Sequence, residues 1–229
     1  MTLSCIIPAY NEAARIAAVL TAVLDHPLIG EVIVVDDGSA DATVAVVGGF
    51  PKARLIALPR NGGKTAALIH GLEAAHGDLI LLVDADLVGL SPANLSALIA
   101  PVRDGHADIS ISLRENAPFL WRWIGLDYIS GERVLRKSLL DGQTEALARL
   151  PKFGFEVFLN GLIIGTQARI AVVRWPGVVS PLKSAKYGVW AGVKADVGMM
   201  RDLFRAVSPL GLLGQIVRMR GLRVPVAPS

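Results

Sequence analysis

The chain has 229 residues, a net charge of +3 and a single cysteine, and 52% of its residues are apolar whereas 19% are charged. This length and composition exclude a disordered chain, and the lone Cys5 excludes both an intramolecular disulfide and a cysteine-based zinc site. The sequence has no apolar run of roughly 18 residues that could span a membrane, and its first residues lack the features of a secretory signal. We therefore expect a cytoplasmic α/β protein that is soluble or bound to the inner face of a membrane.

Short apolar runs alternate with segments of helical periodicity in the first half of the chain. Strands are predicted at 3–7, 31–36, 54–57, 78–83 and 108–113. Helices are predicted at 12–24 with Asn11 as its cap, from Ser39 or Asp41 to residue 47, at 64–76 with Gly77 as its stop, and from Ser91-Pro92 onward. This order predicts a mostly parallel sheet with helices on both faces and a ligand site beyond the carboxyl ends of the strands.

The order of predicted elements changes beyond residue 114. Helices are predicted at 121–136, 144–150, 155–164 and 183–206, with one strand at 168–173. We expect this second part to pack on the first as a helical elaboration of the same domain. Residues 1–114 carry a net charge of −5 and residues 115–229 one of +8. This asymmetry suits a site that handles a metal and anions, or it reflects surface drift, whereas the scattered basic residues argue against nucleic acid.

The sequence Leu82-Val83-Asp84-Ala85-Asp86 places two carboxylates at the end of an apolar strand. Such a pair is costly unless a cation joins it. Hard oxygen ligands suit Mg²⁺ or Mn²⁺, and such a metal would bridge to the phosphates of a nucleotide. The alternative is a solvated turn in which Asp86 acts as a cap.

Two further polar motifs follow predicted strands. In Val34-Val35-Asp36-Asp37-Gly38, Asp37 can accept hydrogen bonds from a nucleobase, or the motif belongs to a helix cap. In Arg60-Asn61-Gly62-Gly63-Lys64-Thr65, free backbone N–H groups and a lysine suit an anion at a helix N-terminus, although Lys64 can also be an ordinary exposed lysine. Pro59 stands where a Walker A loop has its first glycine, so that kind of hydrolase is a poor hypothesis.

Together with Pro8-Ala9-Tyr10-Asn11-Glu12 after the first strand, the order of these motifs resembles family 2 glycosyltransferases with the GT-A fold. The resemblance is greatest to the dolichyl- and polyprenyl-phosphate sugar transferases. It covers residues 3–113 well and is weaker at Gly131-Glu132-Arg133 and Gly154-Phe155-Glu156. It implies a nucleotide-sugar-binding core at 1–114 and an acceptor-side and C-terminal helical region at 115–229. It also implies a UDP or GDP sugar as donor, Mg²⁺ or Mn²⁺ as cofactor, and an acceptor such as polyprenyl phosphate or another lipid-linked molecule.

The same resemblance implies roles for individual residues. The base and ribose pocket would be formed by Pro8, Ala9, Tyr10 and Glu12, with Asp37 at the base. Lys64 would lie near the diphosphate, Asp84 and Ala85 beside the ribose, and Asp86 with Asp84 at the metal. Two positions depart from some relatives. Val88 stands where they have a Gln that contacts the metal, and Ser180 stands around the place where they have a His late in the chain. Metal binding would then be weak, or it would depend on the nucleotide phosphates.

The expected reaction needs positive charge at the leaving diphosphate and, for a hydroxyl acceptor, a base. Arg114, at the end of the fifth predicted strand, is a candidate for the first role or for binding an acceptor phosphate, and it can also be a surface arginine. Glu132 and Asp127 are the candidate bases. A lipid phosphate is already anionic and would need no base.

The C-terminal part suggests contact with a membrane. Residues 201–229 contain five Arg and one Asp around an apolar stretch that is too short to span a bilayer. Trp121 and Trp123 would form an interfacial wedge or an acceptor platform, or belong to the core. The competing hypotheses are a non-catalytic nucleotide-sugar-binding or regulatory protein and, less favoured, a sugar-phosphate nucleotidyltransferase, whose Gly-rich first loop is missing here.

Overall fold

A computed structural model gives the structure of the chain and describes residues 1–151, 154–181 and 208–226. Eight strands form one sheet in the order β3-β2-β1-β4-β6-β5-β7-β8. The strands are β1 Leu3–Ala9, β2 Glu31–Asp36, β3 Ala53–Ala57, β4 Leu79–Leu82, β5 Ile109–Arg114, β6 Arg133–Arg136, β7 Ile170–Trp175 and β8 Arg223–Val224. Only β6 runs antiparallel to its neighbours, β4 and β5. The predicted mostly parallel α/β sheet is therefore confirmed.

Helices cover both faces of the sheet, as predicted. They are α1 Ile16–Leu24, α2 Thr43–Gly48, α3 Lys64–Ala74, α4 Pro92–Arg103, α5 Phe119–Ile124, a 3-10 helix Lys137–Leu140, α6 Thr144–Ala148, α7 Phe155–Gly165 and a helix labelled α8, Pro209–Gly221. Apolar residues of α1, α2 and α4 pack on one face of the sheet. Residues of α3, α7 and α8 pack on the other. The alternation in β1 shows the division, since Cys5 and Ile7 face the first core and Ile6 faces the second.

The predicted helix at 121–136 is wrong beyond residue 124. The helix ends at Ile124, where Gly125 adopts a left-handed conformation, and the chain then forms a loop before β6. The run Arg133–Arg136 has the apolar pair of a short strand between two charged ends, and its pairing with β4 and β5 on either side overrides its helical pattern. The second part of the chain thus adds three strands as well as helices. The helix predicted at 183–206 lies outside the described residues.

Two predicted helix ends are also wrong. Asn11 does not cap α1, which begins only at Ile16. It adopts φ 55° and its Oδ1 accepts a hydrogen bond from the N–H of Ala40. Gly77 does not end α3, whose last residue is Ala74. A Cβ at Gly77 would lie 2.6 Å from Oγ of Ser4. A close approach to β1 therefore requires this glycine.

The predicted opening of α4 is confirmed. Ser91 is the N-cap, its hydroxyl accepts a hydrogen bond from the N–H of Asn94, and Pro92 is the first helical residue. Cys5 is buried and forms no disulfide. Within the described parts of the chain, no helix is both long and apolar enough to cross a bilayer.

The topology gathers the polar ends of several strands at one edge. The parallel strands β1, β2, β4 and β5 end at Ala9, Asp36, Leu82 and Arg114, respectively. The antiparallel strand β6 begins at the same edge, because Arg133 pairs with Leu82 and Ile111. The segments that carry Asp37, Asp84, Asp86 and Glu132 therefore meet beyond this edge, where α/β sheets bind ligands.

Candidate active site

Hydrogen bonds join the loop after β1 to the loop after β2. The N–H of Asn11 donates to Oγ of Ser39, and the N–H of Glu12 donates to Oγ1 of Thr43. Neither predicted cap of α2 is an N-cap, although Oδ1 of Asp41 accepts a hydrogen bond from the N–H of Thr43. The polar side chains of this motif thus hold the first loop in place. The proposed pocket residues lie along it: Pro8, Ala9, Tyr10 and Glu12.

Asp37 joins the end of β2 to the loop before α3. Its side chain is buried, and its two carboxylate oxygens accept hydrogen bonds from the N–H groups of Gly62 and Gly63 at 2.7 and 2.8 Å. Gly63 has φ 92°, which a glycine adopts without strain. The two sequence motifs therefore form one structural unit. A carboxylate has about four lone-pair sites, so Asp37 retains capacity for a base.

Tyr10 and Glu12 differ in their surroundings. Tyr10 is among the exposed large side chains, which suits a residue that stacks on a ligand. Glu12 is buried, and its Oε2 forms a 3.1 Å ion pair with Nη1 of Arg15. Glu12 is thus the buried residue of this pair and Tyr10 the exposed one.

Lys64 lies between two carboxylates, a group that we call the open cluster (Lys64, Asp84 and Glu156). Its Nζ is 2.7 Å from Oδ1 of Asp84 and 3.0 Å from Oε1 of Glu156. The three side chains keep 14–24% of their surface exposed. Burial disfavours the ammonium, but the charges of Asp84 and Glu156 outweigh this effect and raise the pKa of Lys64. The lysine is therefore positively charged at neutral pH.

The loop before β6 lies directly on the open cluster. A Cβ at Gly131 would approach Nζ of Lys64 to 2.5 Å and both carboxylate oxygens of Asp84 to 2.7 Å. Only glycine allows this contact without displacing one of the charged groups. The Gly131-Glu132-Arg133 motif thus supplies the wall of the cluster.

A second group, the closed cluster, consists of Arg114, Asp127 and Glu132. Nη1 of Arg114 is 3.4 Å from Oε1 of Glu132, and Nη2 is 3.7 Å from Oδ2 of Asp127. Both carboxylates are fully buried, whereas Arg114 keeps 14% of its side chain exposed. Oε2 of Glu132 also accepts hydrogen bonds from the hydroxyls of Ser112 and Ser130.

Burial dominates the ionisation of the two acids in the closed cluster. It raises the pKa of Glu132 and of Asp127, although the charge of Arg114 acts in the opposite direction. The pKa of Arg114 is raised, because the surrounding carboxylates outweigh the effect of its burial. The predicted bases therefore lie behind the guanidinium, and the arginine is the member of the cluster that reaches the solvent.

Asp86 is held by the segment that follows β7. Oγ of Ser180 donates to its carboxylate oxygens at 3.2 and 3.3 Å. The two segments also pair through their backbones, because Val88 and Val179 exchange two N–H to carbonyl hydrogen bonds. Asn116 binds the N–H and the carbonyl of Ser180 with its side-chain amide. Ser180 thus orients Asp86 at the position where relatives were expected to have a histidine.

The donor set at the end of β4 fits a divalent cation that is shared with phosphate oxygens. In the described parts of the chain, no three His, Cys, Asp or Glu side chains form a cage that could hold a metal. The electrostatic surroundings are nevertheless acidic, since both Asp84 and Asp86 act on Arg114 beside Glu132 and Asp127. One or two carboxylates with substrate phosphates are a usual site for Mg²⁺. Asp84 and Asp86 would hold such an ion.

Three residues that support this region were not predicted as site residues. Arg133 is fully buried, and its guanidinium donates to the carbonyls of Ser130 and Tyr128 and to Oδ1 of Asn160. Asn160 and Glu156 are four residues apart on α7, so the same helix face holds Arg133 and Lys64. A polar residue at a core position of an apolar helix was the available signal for Asn160. The arginine was hidden by the wrong helix prediction.

The chain is similar in sequence to known proteins. The family model described as "Glycosyl transferase family 2" matches residues 4–160. Dolichol-phosphate mannosyltransferase of Pyrococcus furiosus is 29% identical, with 95% of this chain and 67% of the relative covered. Dodecaprenyl-phosphate galacturonate synthase of Rhizobium johnstonii is 33% identical over 51% of this chain and 37% of the relative. In several other curated relatives, the matched part covers well under half of the relative's length.

Solved structures show the same fold. Glucosyl-3-phosphoglycerate synthase of Mycobacterium tuberculosis, in complex with Mn²⁺, uridine-diphosphate-glucose and phosphoglyceric acid, superimposes with a TM-score of 0.64. The two proteins are 26% identical, and the match covers 88% of this chain and 79% of that one. This similarity confirms the predicted GT-A fold. With the family model covering more than half of its residues, the chain belongs to glycosyl transferase family 2.

Proposed function

We propose that the chain transfers a sugar from a UDP or GDP sugar to an anionic acceptor, with Mg²⁺ or Mn²⁺ at the end of β4. The observation that carries this proposal is the juxtaposition of Asp84 and Asp86 with the cations of the open and closed clusters. Carboxylates that hold a metal, together with nearby cations, are needed where a diphosphate is first bound and then released with added negative charge.

The donor binds along the edge formed by the loops after β1, β2 and β4. Tyr10 and Asp37 contact the base, while Pro8, Ala9 and Glu12 shape the pocket. Asp84 and Ala85 lie beside the ribose, and Lys64 lies at the diphosphate. The metal, held by Asp86 with Asp84, supplies positive charge to the diphosphate. A solved relative with Mn²⁺ and uridine-diphosphate-glucose supports this donor class.

Lys64 can move its charge to the donor. In the structure its ammonium neutralises Asp84 and Glu156. Lys64 has three N–H groups with which it can donate hydrogen bonds to phosphate oxygens, and a metal held by Asp84 would take over part of the neutralisation of that carboxylate. The lysine then remains beside the leaving group as its charge grows.

The closed cluster favours an acceptor that is already an anion. The carboxylates of Asp127 and Glu132 are fully buried behind Arg114, so neither reaches the solvent side where an acceptor hydroxyl would bind. Arg114 contacts them only at 3.4 and 3.7 Å, longer than tight charge-assisted hydrogen bonds. Its guanidinium can therefore also bind an acceptor phosphate, with Asp127 and Glu132 as positioning residues.

The reaction then needs no protein base. An acceptor phosphate oxygen attacks the anomeric carbon, a new carbon–oxygen bond forms, and the bond to the donor β-phosphate breaks. The nucleoside diphosphate leaves with the electron pair. Polyprenyl phosphate is the favoured acceptor, since curated relatives are named for dolichol phosphate and dodecaprenyl phosphate. An acceptor of this kind implies peripheral contact with a membrane.

A transfer assay tests this function. Purified protein is incubated with radiolabelled UDP and GDP sugars, Mn²⁺ or Mg²⁺, and a short polyprenyl phosphate, and the label that enters the lipid fraction is counted. We expect transfer from one nucleotide class, loss of transfer with chelator, and a reduction of about 100-fold or more in Asp86→Ala. The exposed Asp104→Ala is the matched control.

A nucleotide-sugar-binding protein without catalysis is the second candidate. The specific observation in its favour is that Val88 and Ser180 replace side chains expected to contact the metal. Such a protein would bind the donor but would produce neither transferred sugar nor free sugar. Donor affinity with no turnover for any acceptor phosphate would therefore overturn the enzyme proposal.

A further inference from the structure

The outer face of α8 is apolar, and no part of the chain that the structure describes covers it. Leu210, Leu213 and Val217 are 82%, 60% and 70% exposed, and their spacing of three and four residues places them on one stripe of the helix. The opposite stripe, which includes Ile216 and Met219, is buried in the core beside α7. An aqueous helix normally presents polar residues on the side away from the core. The uncovered stripe of α8 therefore needs a partner.

A second apolar surface lies on α5. Phe119 and Trp123 are 75% and 73% exposed, and Leu120 is also exposed. This six-residue helix contains no buried residue. The three large apolar side chains remain in contact with water, which is unfavourable, and they gain no free energy from burial in the core.

The structure joins these two helices into one surface. Nη1 of Arg223, just after α8, donates to the carbonyl of Ile124 at the end of α5. The hydroxyl of Tyr128 donates to Oε1 of Gln215 on α8, and the ring of Trp121 on α5 stacks on Tyr128. The inner sides of both helices contact the same apolar core.

The charged residues of the segments 117–126 and 208–226 are all positive. Four arginines lie on or next to the two helices: Arg122, Arg218, Arg220 and Arg223. Each has an exposed side chain, and neither 117–126 nor 208–226 contains an acidic residue. An apolar stripe flanked by these arginines is complementary to a surface that combines hydrocarbon with negative charge.

We propose that this surface, the basic apolar face, docks on a membrane that contains anionic lipid. The apolar side chains enter the boundary between headgroups and acyl chains, and the arginines bind lipid phosphates. Trp123 suits this position, because indole rings collect at the membrane interface. The inference goes beyond the proposed sugar transfer, since it assigns a partner to a surface outside the donor site. The helix α5 lies between Arg114 and Asp127 in the chain. If the transfer proposal also holds, docking brings the closed cluster to the membrane.

Vesicle flotation with the full chain tests the proposal. The probes are vesicles of phosphatidylcholine alone and vesicles with equal parts of phosphatidylglycerol. We expect the chain to float with the anionic vesicles and to dissociate in high salt. The triple variant Leu210→Ser/Leu213→Ser/Val217→Ser should weaken binding about 100-fold. Arg218→Gln/Arg220→Gln should weaken membrane binding about 30-fold, because each of the two arginines contributes by a similar factor to the attraction to anionic lipid.

Matched controls separate docking from general effects of substitution. Val44→Ser replaces an exposed apolar residue on α2, and Lys52→Gln/Arg149→Gln removes two exposed charges elsewhere. Both should float like the unaltered chain. Phe119→Ser/Trp123→Ser provides an independent test on α5 if the triple variant is unstable, and thermal unfolding checks the fold of each variant.

The alternative occupants give distinct results. Absence of binding to anionic vesicles, or equal binding by the triple variant, would overturn the proposal. So would a concentration-dependent dimer that the same substitutions dissociate, because the face would then join two copies of the chain. These readouts do not use sugar transfer, so failure of the docking proposal and failure of the proposed function are distinguishable.

Discussion

The open and closed clusters each place one cationic side chain between an aspartate and a glutamate, but their surroundings differ. In the open cluster all three side chains keep part of their surface exposed, whereas Asp127 and Glu132 of the closed cluster keep none. Exposed charges can exchange partners with a ligand at small cost, but buried charges depend on the partners they have. The open cluster is therefore suited to binding, and the buried acids of the closed cluster to positioning Arg114.

The largest expected effect comes from removing the cation of the closed cluster. Arg114→Ala leaves two buried carboxylates without their guanidinium and should lower the free energy of unfolding by about 3–5 kcal/mol. Urea denaturation measures this change. Arg122→Ala, at an exposed position on α5, is the control and should change stability little. Equal stability of the two variants would remove the distinction between the clusters.

The next largest effect concerns the wall of the open cluster. Gly131→Ala inserts a Cβ within 2.7 Å of charged atoms of Lys64 and Asp84. Overpacking of this kind costs about 1–3 kcal/mol, and it should also reduce donor affinity.

Gly161→Ala is the control for this substitution. Gly161 lies inside α7, and a Cβ there would meet nothing within 4 Å. That variant should gain about 0.5–1 kcal/mol, because alanine is the better helix former. A Gly131→Ala protein with unaltered stability and donor affinity would contradict the close contact.

A smaller stability effect is expected for the cation of the open cluster. Lys64→Met should cost less stability than Arg114→Ala, since the carboxylates that it leaves behind keep part of their surface in solvent. Sugar transfer should nevertheless fall about 100-fold, because the leaving diphosphate loses a donor. Initial rates and thermal unfolding, compared with the exposed Lys52→Met, measure the two effects. A variant with low stability and normal transfer would reverse our assignment.

The last prediction concerns the direction in which stability changes with pH. Burial raises the pKa of Glu132 in the folded chain, so the folded state binds the proton more tightly than the unfolded state. The wild type should therefore gain stability relative to Glu132→Gln as pH falls from above the raised pKa towards about 4.3.

Asp108 gives the matching opposite case. Its hydrogen bonds with Arg169 lower its pKa, so the wild type should lose stability relative to Asp108→Asn as pH falls below about 3.9. Urea denaturation across this pH range measures both slopes. Slopes of the same sign for the two pairs would contradict the burial of Glu132.

The parts that the sequence made predictable are those in which local pattern and tertiary structure agree. The strands β1 to β5 and the opening of α4 follow from apolar runs and from Ser91-Pro92. The strand β6 does not, because four residues with charged ends form a strand only when β4 and β5 provide partners on both sides. Asn11 and Gly77 were misassigned for a similar reason, since distant backbone segments determine their conformations.

The candidate site was predictable as a set of motifs but not as two clusters. Asp84, Lys64 and Arg114 stand out as charges at strand or helix ends. Their pairing with Glu156 and Glu132 depends on where α7 and β6 pack, which local spacing does not encode. Burial separates the roles of the acids, and no feature of a glutamate in the sequence distinguishes an exposed one from a buried one.

The central claim is that Asp84 and Asp86 hold a nucleotide through a divalent cation. Calorimetric titration of UDP and GDP, with and without Mn²⁺, tests it most directly when it is repeated on Asp86→Ala and on Asp104→Ala. We predict that one nucleotide binds at least about 10-fold more tightly with Mn²⁺, that Asp86→Ala loses this gain and that Asp104→Ala retains it. Nucleotide binding that is independent of Mn²⁺, or equal in Asp86→Ala and the unaltered chain, would contradict the account.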